Sequence, residues 1–266
     1  MAIHPTAIVH DGAVIDASAD IGPYCIIGPN VKIGAGTRLI AHVVVDNHTT
    51  IGEHNTIFPY ASVGGQPQDL KFGGEEARLV IGDHNTIREG ATLNIGTAGG
   101  DMQTTLGNHC LMMAYSHLAH DCQVGNYVVL ANSVALAGHV TVHDHVIIGG
   151  LAAVHQFCRI GRNAFIAGGT MVAQDVPPFC IAQGDRAQLA GLNIVGLKRG
   201  GWDRERIGAL RDGFKSLFQS ELPRMLALEE TEREVEQEDV RELCAFVRSA
   251  KRGVCAPRVG GANHED

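Results

Sequence analysis

Four histidines and a glycine in the middle of the chain have the types and spacing to do chemistry: His117, His120, His139 and His155, with Gly138. Gly138 follows His120 by 18 residues and Gln156 follows Gly138 by another 18; His139 and His155 each sit one position off that series. An imidazole titrates near neutrality and suits general-base removal of a proton from a hydroxyl nucleophile. A glycine offers a backbone N–H that a developing oxyanion can approach closely. His117-x-x-His120 with His139 would also suit three imidazole ligands to zinc, a reading that metal analysis of the protein tests. The blander reading is decoration, since the chain holds 14 histidines and many fall in turn-like segments.

These residues converge only if the chain winds with a fixed period, and it does. Every sixth residue from Ile3 to Val63 is aliphatic, and the register resumes at Ile81, Ile87 and Leu93. After one more break it runs from Leu106 through Val172 without a polar exception. A period of six fits neither an amphipathic helix nor a hairpin sheet. It fits short strands joined by turns, with the aliphatic and the small residue two before it on the inner face. Three hexads make an 18-residue triangular coil, and coils stack about 4.8 Å apart as parallel strands do. His120, Gly138 and Gln156 then occupy equivalent sites on successive coils. His117, one position before inward Leu118, points outward, so the polar column spans roughly 10 Å along the axis.

Two segments interrupt the hexads, near 64–80 and 94–105, and long excursions from a regular scaffold usually carry function. After Pro177-Pro178 the pattern becomes helical near Arg204–Gln219, Glu221–Glu232 and Glu238–Ala250. The expected organisation is a mainly β prism over 1–185 and an α-helical domain over 186–266 that covers the open end of the coils. The tail Arg252–Asp266 is expected to fray.

Composition agrees. Aromatics are only 5% and glycines number 33, which suits a thin structure with many tight turns. Net charge is −8, against nucleic-acid binding. Seven scattered cysteines without a Cys-x-x-Cys pair point to reduced thiols and a cytoplasmic protein. No charged-then-apolar leader and no run of about 18 apolar residues occurs, so membrane insertion is not expected.

Beyond the hexads, His117-Leu-Ala-His120-Asp121, Leu136-Ala-Gly-His139-Val, Ala153-Val-His155-Gln156-Phe157 and Ala173-Gln-Asp-Val-Pro-Pro178 resemble the UDP-N-acetylglucosamine 3-O-acyltransferase family. So do Gln68-Asp69-Leu-Lys71-Phe and Asn193-Ile-Val-Gly-Leu-Lys198-Arg199, and the resemblance covers nearly the whole chain. It implies a left-handed parallel β-helix, a homotrimer with active sites between neighbouring prisms, and the first step of lipid A biosynthesis. The acyl donor is a thioester on the phosphopantetheine of acyl carrier protein, and no further cofactor or metal is implied. By motif, His120 resembles the general base, Asp121 its orienting partner and Gly138 the oxyanion-stabilising amide. Asp69, Lys71, His117 and Gln156 match sugar-nucleotide contacts, and His139 an active-site histidine near the donor. Asn193 and Arg199 match contacts to nucleotide or phosphopantetheine. Gly168 matches the acyl-chain ruler, where a missing side chain leaves room for donors of about twelve to fourteen carbons rather than about ten.

The chain departs from the family at Ile95, where a basic residue is frequent, at Gly200, where a second arginine is frequent, and at Arg186, where some members have histidine. These leave open a 3-amino acceptor; a second enzyme reading is another hexapeptide acyltransferase that uses acyl-CoA, such as acetyl- or succinyl-CoA, on a different acceptor. A structural or ice-binding helix would need a flat threonine ladder, which the coils lack. Lys198, Arg199, Arg204 and Arg206 are expected to form a basic patch for the acidic carrier.

Overall fold

The computed structural model describes residues 2–258. Its strands form three sheets of 11, 9 and 8 strands, the faces of a triangular prism wound as a left-handed parallel β-helix. Ile3 pairs with Ile21 and Val9 with Ile27, the 18-residue offset that the hexads require. Across the first excursion the offset grows to 30, with Ile51 opposite Ile81, and across the second to 25, with Leu93 opposite Leu118. The excursions thus add 12 and 7 residues to single coils and leave the stacking in step.

Alternation explains the strands. In Arg38–Leu39 and Val44–Val45 the first residue is exposed and the second buried, and the pattern recurs up the prism. Ile21, Ile27, Leu39, Ile51, Ile57, Ile87 and Leu93 are at most 1% exposed. Each such burial contributes about 1.5–3 kcal/mol before chain entropy is subtracted. Where the excursions widen the coils, a buried amide ladder replaces part of the aliphatic packing. Asn55 accepts from Asn85 N–H (2.8 Å), and Asn85 from Cys110 N–H (2.7 Å).

The hexads end at Val172, but strand pairing does not stop at residue 185. Strand Cys180–Gln183 joins the first face and pairs antiparallel with Gln188–Leu192, a hairpin that straddles the expected boundary. Among the described residues four helices follow: α1 (Ile194–Arg199), α2 (Arg204–Gln219), α3 (Arg224–Glu234) and α4 (Glu238–Arg248). α1 was not foreseen. α3 starts three residues later than expected, with Pro223 at its N-cap (φ −52°, ψ 138°), and a proline there disfavours helical backbone in the residue before it. Arg162 ties the bundle to the prism through Asp239 (3.0 Å) and Glu242.

The expectation of a frayed tail is corrected for residues 252–258. Val254 bridges Asp175, Pro257 bridges Leu189, and Cys255 is 1% exposed. These backbone groups find partners on the last coil, so the segment is docked. Residues 259–266 lie outside the described residues.

Candidate active site

The three edges of the prism differ in what they carry. His120, Gly138 and Gln156 all lie on the edge between the second and third faces, one coil apart. Both excursions leave from this same edge: the first between Ser62–Gly65 and Arg78–Ile81, the second between Thr92–Asn94 and Gln103–Leu106. The most elaborated part of the repeat and the histidine column therefore coincide.

Asp121 has a positive φ of 59°, as do the residues stacked above it, His139 (61°) and Phe157 (65°). This left-handed corner turns the Asp121 side chain back beside its neighbour, where a strand would send it to the opposite face. His120 Nδ1 consequently lies 2.9 Å from Asp121 Oδ2. Thr97, on the second excursion, donates to the same carboxylate from Oγ1 (2.6 Å) and from its backbone N–H (3.1 Å). Burial opposes charge on Asp121, but the donors from Thr97 and His120 outweigh it and hold the carboxyl below its ordinary value. An ionised Asp121 accepts the Nδ1 proton and leaves Nε2 of His120 with the free lone pair.

Nε2 faces Gly138. A Cβ built on Gly138 would stand 2.6 Å from Nε2 and 2.5 Å from Cε1 of His120, so the ring occupies the space a side chain would need. Gly138 N–H donates to no acceptor among the described residues. A lone pair and a backbone donor thus lie side by side at one corner.

His139 meets His120 edge-to-face at 5.0 Å, stacks on Phe157 at 4.4 Å, and has Nδ1 4.0 Å from Asp121. Burial lowers its basicity, against the raising influence of Asp121, Asp101 and Asp69. The first excursion reaches the second through Glu75, which accepts from Ala98 N–H (2.8 Å). There Asp69 accepts from the backbone of Lys71 (3.0 Å), and Lys71 is exposed. His117 points outward as expected, with Nδ1 2.7 Å from Thr92 Oγ1; burial, then His120, lowers its basicity. His155 and Gln156 are exposed on the coil above Gly138 and His139, with His155 Nδ1 directed at the Gln156 carbonyl (3.1 Å).

Three expected site residues lie elsewhere on the chain. Gly168 is on the edge between the first and second faces. It is Gly169 (φ 68°), not Gly168, that takes the left-handed turn there, and a Cβ on Gly168 would only press Gly150 O at 3.3 Å. Asn193 caps α1 by accepting from Gly196 N–H (3.1 Å) and donates to Asn163 O (3.0 Å), at the edge between the third and first faces. Arg199 is exposed at the end of α1. Of the expected basic patch, Lys198, Arg199 and Arg204 are exposed, but Arg206 is not free. It pairs with Asp239 at 2.6 Å and covers Trp202. Ile95 is 1% exposed and belongs to the core, so the position that departs from the family faces inward.

Among the described residues, His117 is not in the set of ligand atoms that converge beside His120 and His139. Ligand atoms of His120, Asp121 and His139 are the ones that lie within 4.8 Å of one another. An open cavity of about 360 Å³ lies on the third face, lined by Gln123, Thr141, His143, Arg162 and Glu242. None of the histidine column lines it. Thr97, which clamps Asp121, was missed by the sequence reading, because excursions fall outside the 18-residue count and nothing in the repeat predicts where they return.

The prism and its corner cluster define a hexapeptide-repeat transferase, and residues 6–41 match the family model "Bacterial transferase hexapeptide (six repeats)". Residues 175–255 match "Udp N-acetylglucosamine O-acyltransferase; Domain 2". The acyl-[acyl-carrier-protein]–UDP-N-acetylglucosamine O-acyltransferase of Anaeromyxobacter sp. (strain Fw109-5) is 51% identical, over 96% of this chain and 99% of its own. The crystal structure of the Moraxella catarrhalis RH4 UDP-N-acetylglucosamine O-acyltransferase superposes with a TM-score of 0.93 at 46% identity, covering 96% of this chain and 99% of that one. The Acinetobacter baumannii counterpart gives 0.93 at 44%, covering 95% and 99%. The chain belongs to the acyl-[acyl-carrier-protein]–UDP-N-acetylglucosamine O-acyltransferase family.

Proposed function

We propose that the chain transfers a 3-hydroxyacyl group from acyl carrier protein to the 3-hydroxyl of UDP-N-acetylglucosamine, the first step of lipid A biosynthesis. It is an acyltransferase, as its relatives are. The observation that supports the chemistry best is the line Asp121–His120–Gly138, a fixed imidazole beside a backbone donor.

In this reading His120 Nε2 takes the proton of the sugar 3-hydroxyl as the oxygen attacks the thioester carbonyl. A C–O bond forms, and the carbonyl electrons move onto oxygen, where Gly138 N–H stabilises them. When the intermediate collapses the C–S bond breaks, and the imidazolium returns its proton to the departing thiolate. Asp121 keeps the ring in the required tautomer and stabilises its charged form. Asp69, Lys71, His117 and Gln156 hold the sugar nucleotide around this edge, and His139 stands towards the donor.

Asn193 and Gly168 lie on the other two edges, and Arg199 lies beyond the prism at the end of α1, which supports a homotrimer in which neighbouring prisms complete each site. Mixed assemblies of His120→Ala and Arg199→Glu chains test this: activity above that of either variant alone is expected, and none would contradict it. The seven cysteines are all free and buried, in keeping with a reducing cytoplasmic setting. No helix among the described residues is long and apolar enough to cross a membrane. No metal role is invoked, since His120 and Asp121 meet at hydrogen-bond distance; metal analysis of the active enzyme checks this.

The deciding experiment is mass spectrometry of products from carrier-linked 3-hydroxyacyl donors with UDP-N-acetylglucosamine. A 3-O-acylated sugar nucleotide is expected. Acylation only of a 3-amino analogue, or only from CoA thioesters, would overturn the assignment.

A further inference from the structure

The second excursion has a task that neither the repeat nor the family match assigns. Thr97 is 3% exposed and Asp121 3% exposed, and the two meet through both carboxylate oxygens. Asp121 is held from its other side as well, its backbone N–H donating to Thr104 Oγ1 (2.8 Å). Gly100 closes over the carboxylate, since a Cβ there would come within 2.4 Å of Cγ. The two excursions are also latched: Glu75, on the first, accepts from Ala98 N–H, next to Thr97, at 2.8 Å.

We propose that Thr97 is a positioning residue for catalysis, fixing the Asp121 carboxylate and through it the tautomer and plane of His120. The inference rests on the general-base reading of His120. A carboxylate has two oxygens and can rotate about its bond to Cβ. With only the imidazole as partner it would swing between His120 and His139, whose Nδ1 is 4.0 Å away. The Thr97 donors engage both oxygens, the backbone N–H on Oδ1 and the hydroxyl on Oδ2, the oxygen that also faces His120, and so stop that rotation. Thr97 touches no substrate in this scheme. It acts on the rate because a base must be aligned with the proton it removes, and a small misplacement of a catalytic group lowers turnover strongly.

Thr97→Val keeps the shape and removes the hydroxyl. Its kcat is expected to fall about tenfold or more, within the range general-base alignment can contribute, with KM for UDP-N-acetylglucosamine changed less than about twofold. The acid limb of its kcat/KM profile should move away from that of the parent, because the carboxylate beside the imidazole has lost both a donor and its fixed orientation. Thr97→Ser restores the hydroxyl and should recover most of the rate. In an Asp121→Asn background Thr97→Val should add little further loss, since Thr97 acts through that carboxylate. A Thr97→Val enzyme with parental kcat and pH profile, a Thr97→Ser enzyme as slow as the valine variant, or fully additive losses would each overturn the inference. His120→Ala serves as the reference. If it is inactive while Thr97→Val is normal, only the role of Thr97 fails; if it is as active as the parent, the general-base reading fails and takes this role with it.

Discussion

Gly138 sits one coil above His120 with its missing side chain directly against the imidazole, at a virtual Cβ–Nε2 separation of 2.6 Å. Gly138 is not among the residues with positive φ, so the requirement for glycine comes from the ring and not from the backbone. Gly138→Ala should fold, displace the His120 ring and lower kcat by about 10²-fold, comparable to losing an oxyanion donor. Steady-state kinetics beside a melting curve checks it. A variant with unchanged kcat would mean that the closeness of ring and backbone has no catalytic consequence.

Acid should destabilise the protein in two stages. His117, His139 and His143 are all made less basic by burial, the largest cause at each. Below about 6.5 the unfolded chain protonates these rings before the folded one does, so stability present above that value is lost as the pH falls. Asp121, lowered by its donors, contributes stability above about 3.9 that disappears as the pH falls through its folded value. Melting temperatures from about pH 8 to about pH 2 should decline on the acid side. His117→Gln should flatten the first stage and Asp121→Asn the second. A Tm that rises on acidification would contradict both signs.

Gly168 is open to substitution, needing only a shift of a few tenths of an ångström against Gly150 O. If it limits the acyl chain, Gly168→Met should shift preference from donors of about twelve to fourteen carbons to about ten or fewer, with little change in fold. Competition between donors of different length reads this out, and unchanged selectivity would remove the ruler role.

Lys198, Arg199 and Arg204 remain exposed after Arg206 is bound by Asp239. Reversing charge at Arg199 and Arg204 should raise KM for the carrier-linked donor about tenfold, more at low salt, while leaving the Tm near that of the parent. Reversal at Arg206 should instead lower the Tm, since it sets a second negative charge against Asp239, which is only 2% exposed and keeps Arg162 as its remaining cationic partner. Equal effects on KM from all three positions would argue against this division.

The prism was legible because its signal is additive. One aliphatic per hexad, repeated from Ile3 to Val172, leaves one way to bury them all, and the 18-residue offset then stacks Gly138 on His120 by counting. What counting could not supply is what departs from the period. His120 and Asp121 are neighbours, and strand logic would send them to opposite faces; only the left-handed corner at Asp121 brings them together. Thr97 and Glu75 reach the cluster from excursions whose return paths are set by packing. The docking of Val254 and Cys255 depends on the edge left by the last coil, and so short a tail sequence does not announce such a partner. Arg206 reads as a surface charge until Asp239, 33 residues later, is placed beside it.

The most direct test of the catalytic assignment is the turnover of His120→Ala with a carrier-linked 3-hydroxyacyl donor and UDP-N-acetylglucosamine, measured alongside its melting temperature. Loss of about 10²–10⁴-fold in kcat from a protein that still folds and still binds the sugar nucleotide is the expected result. A folded His120→Ala enzyme that turns over at the parental rate would contradict it.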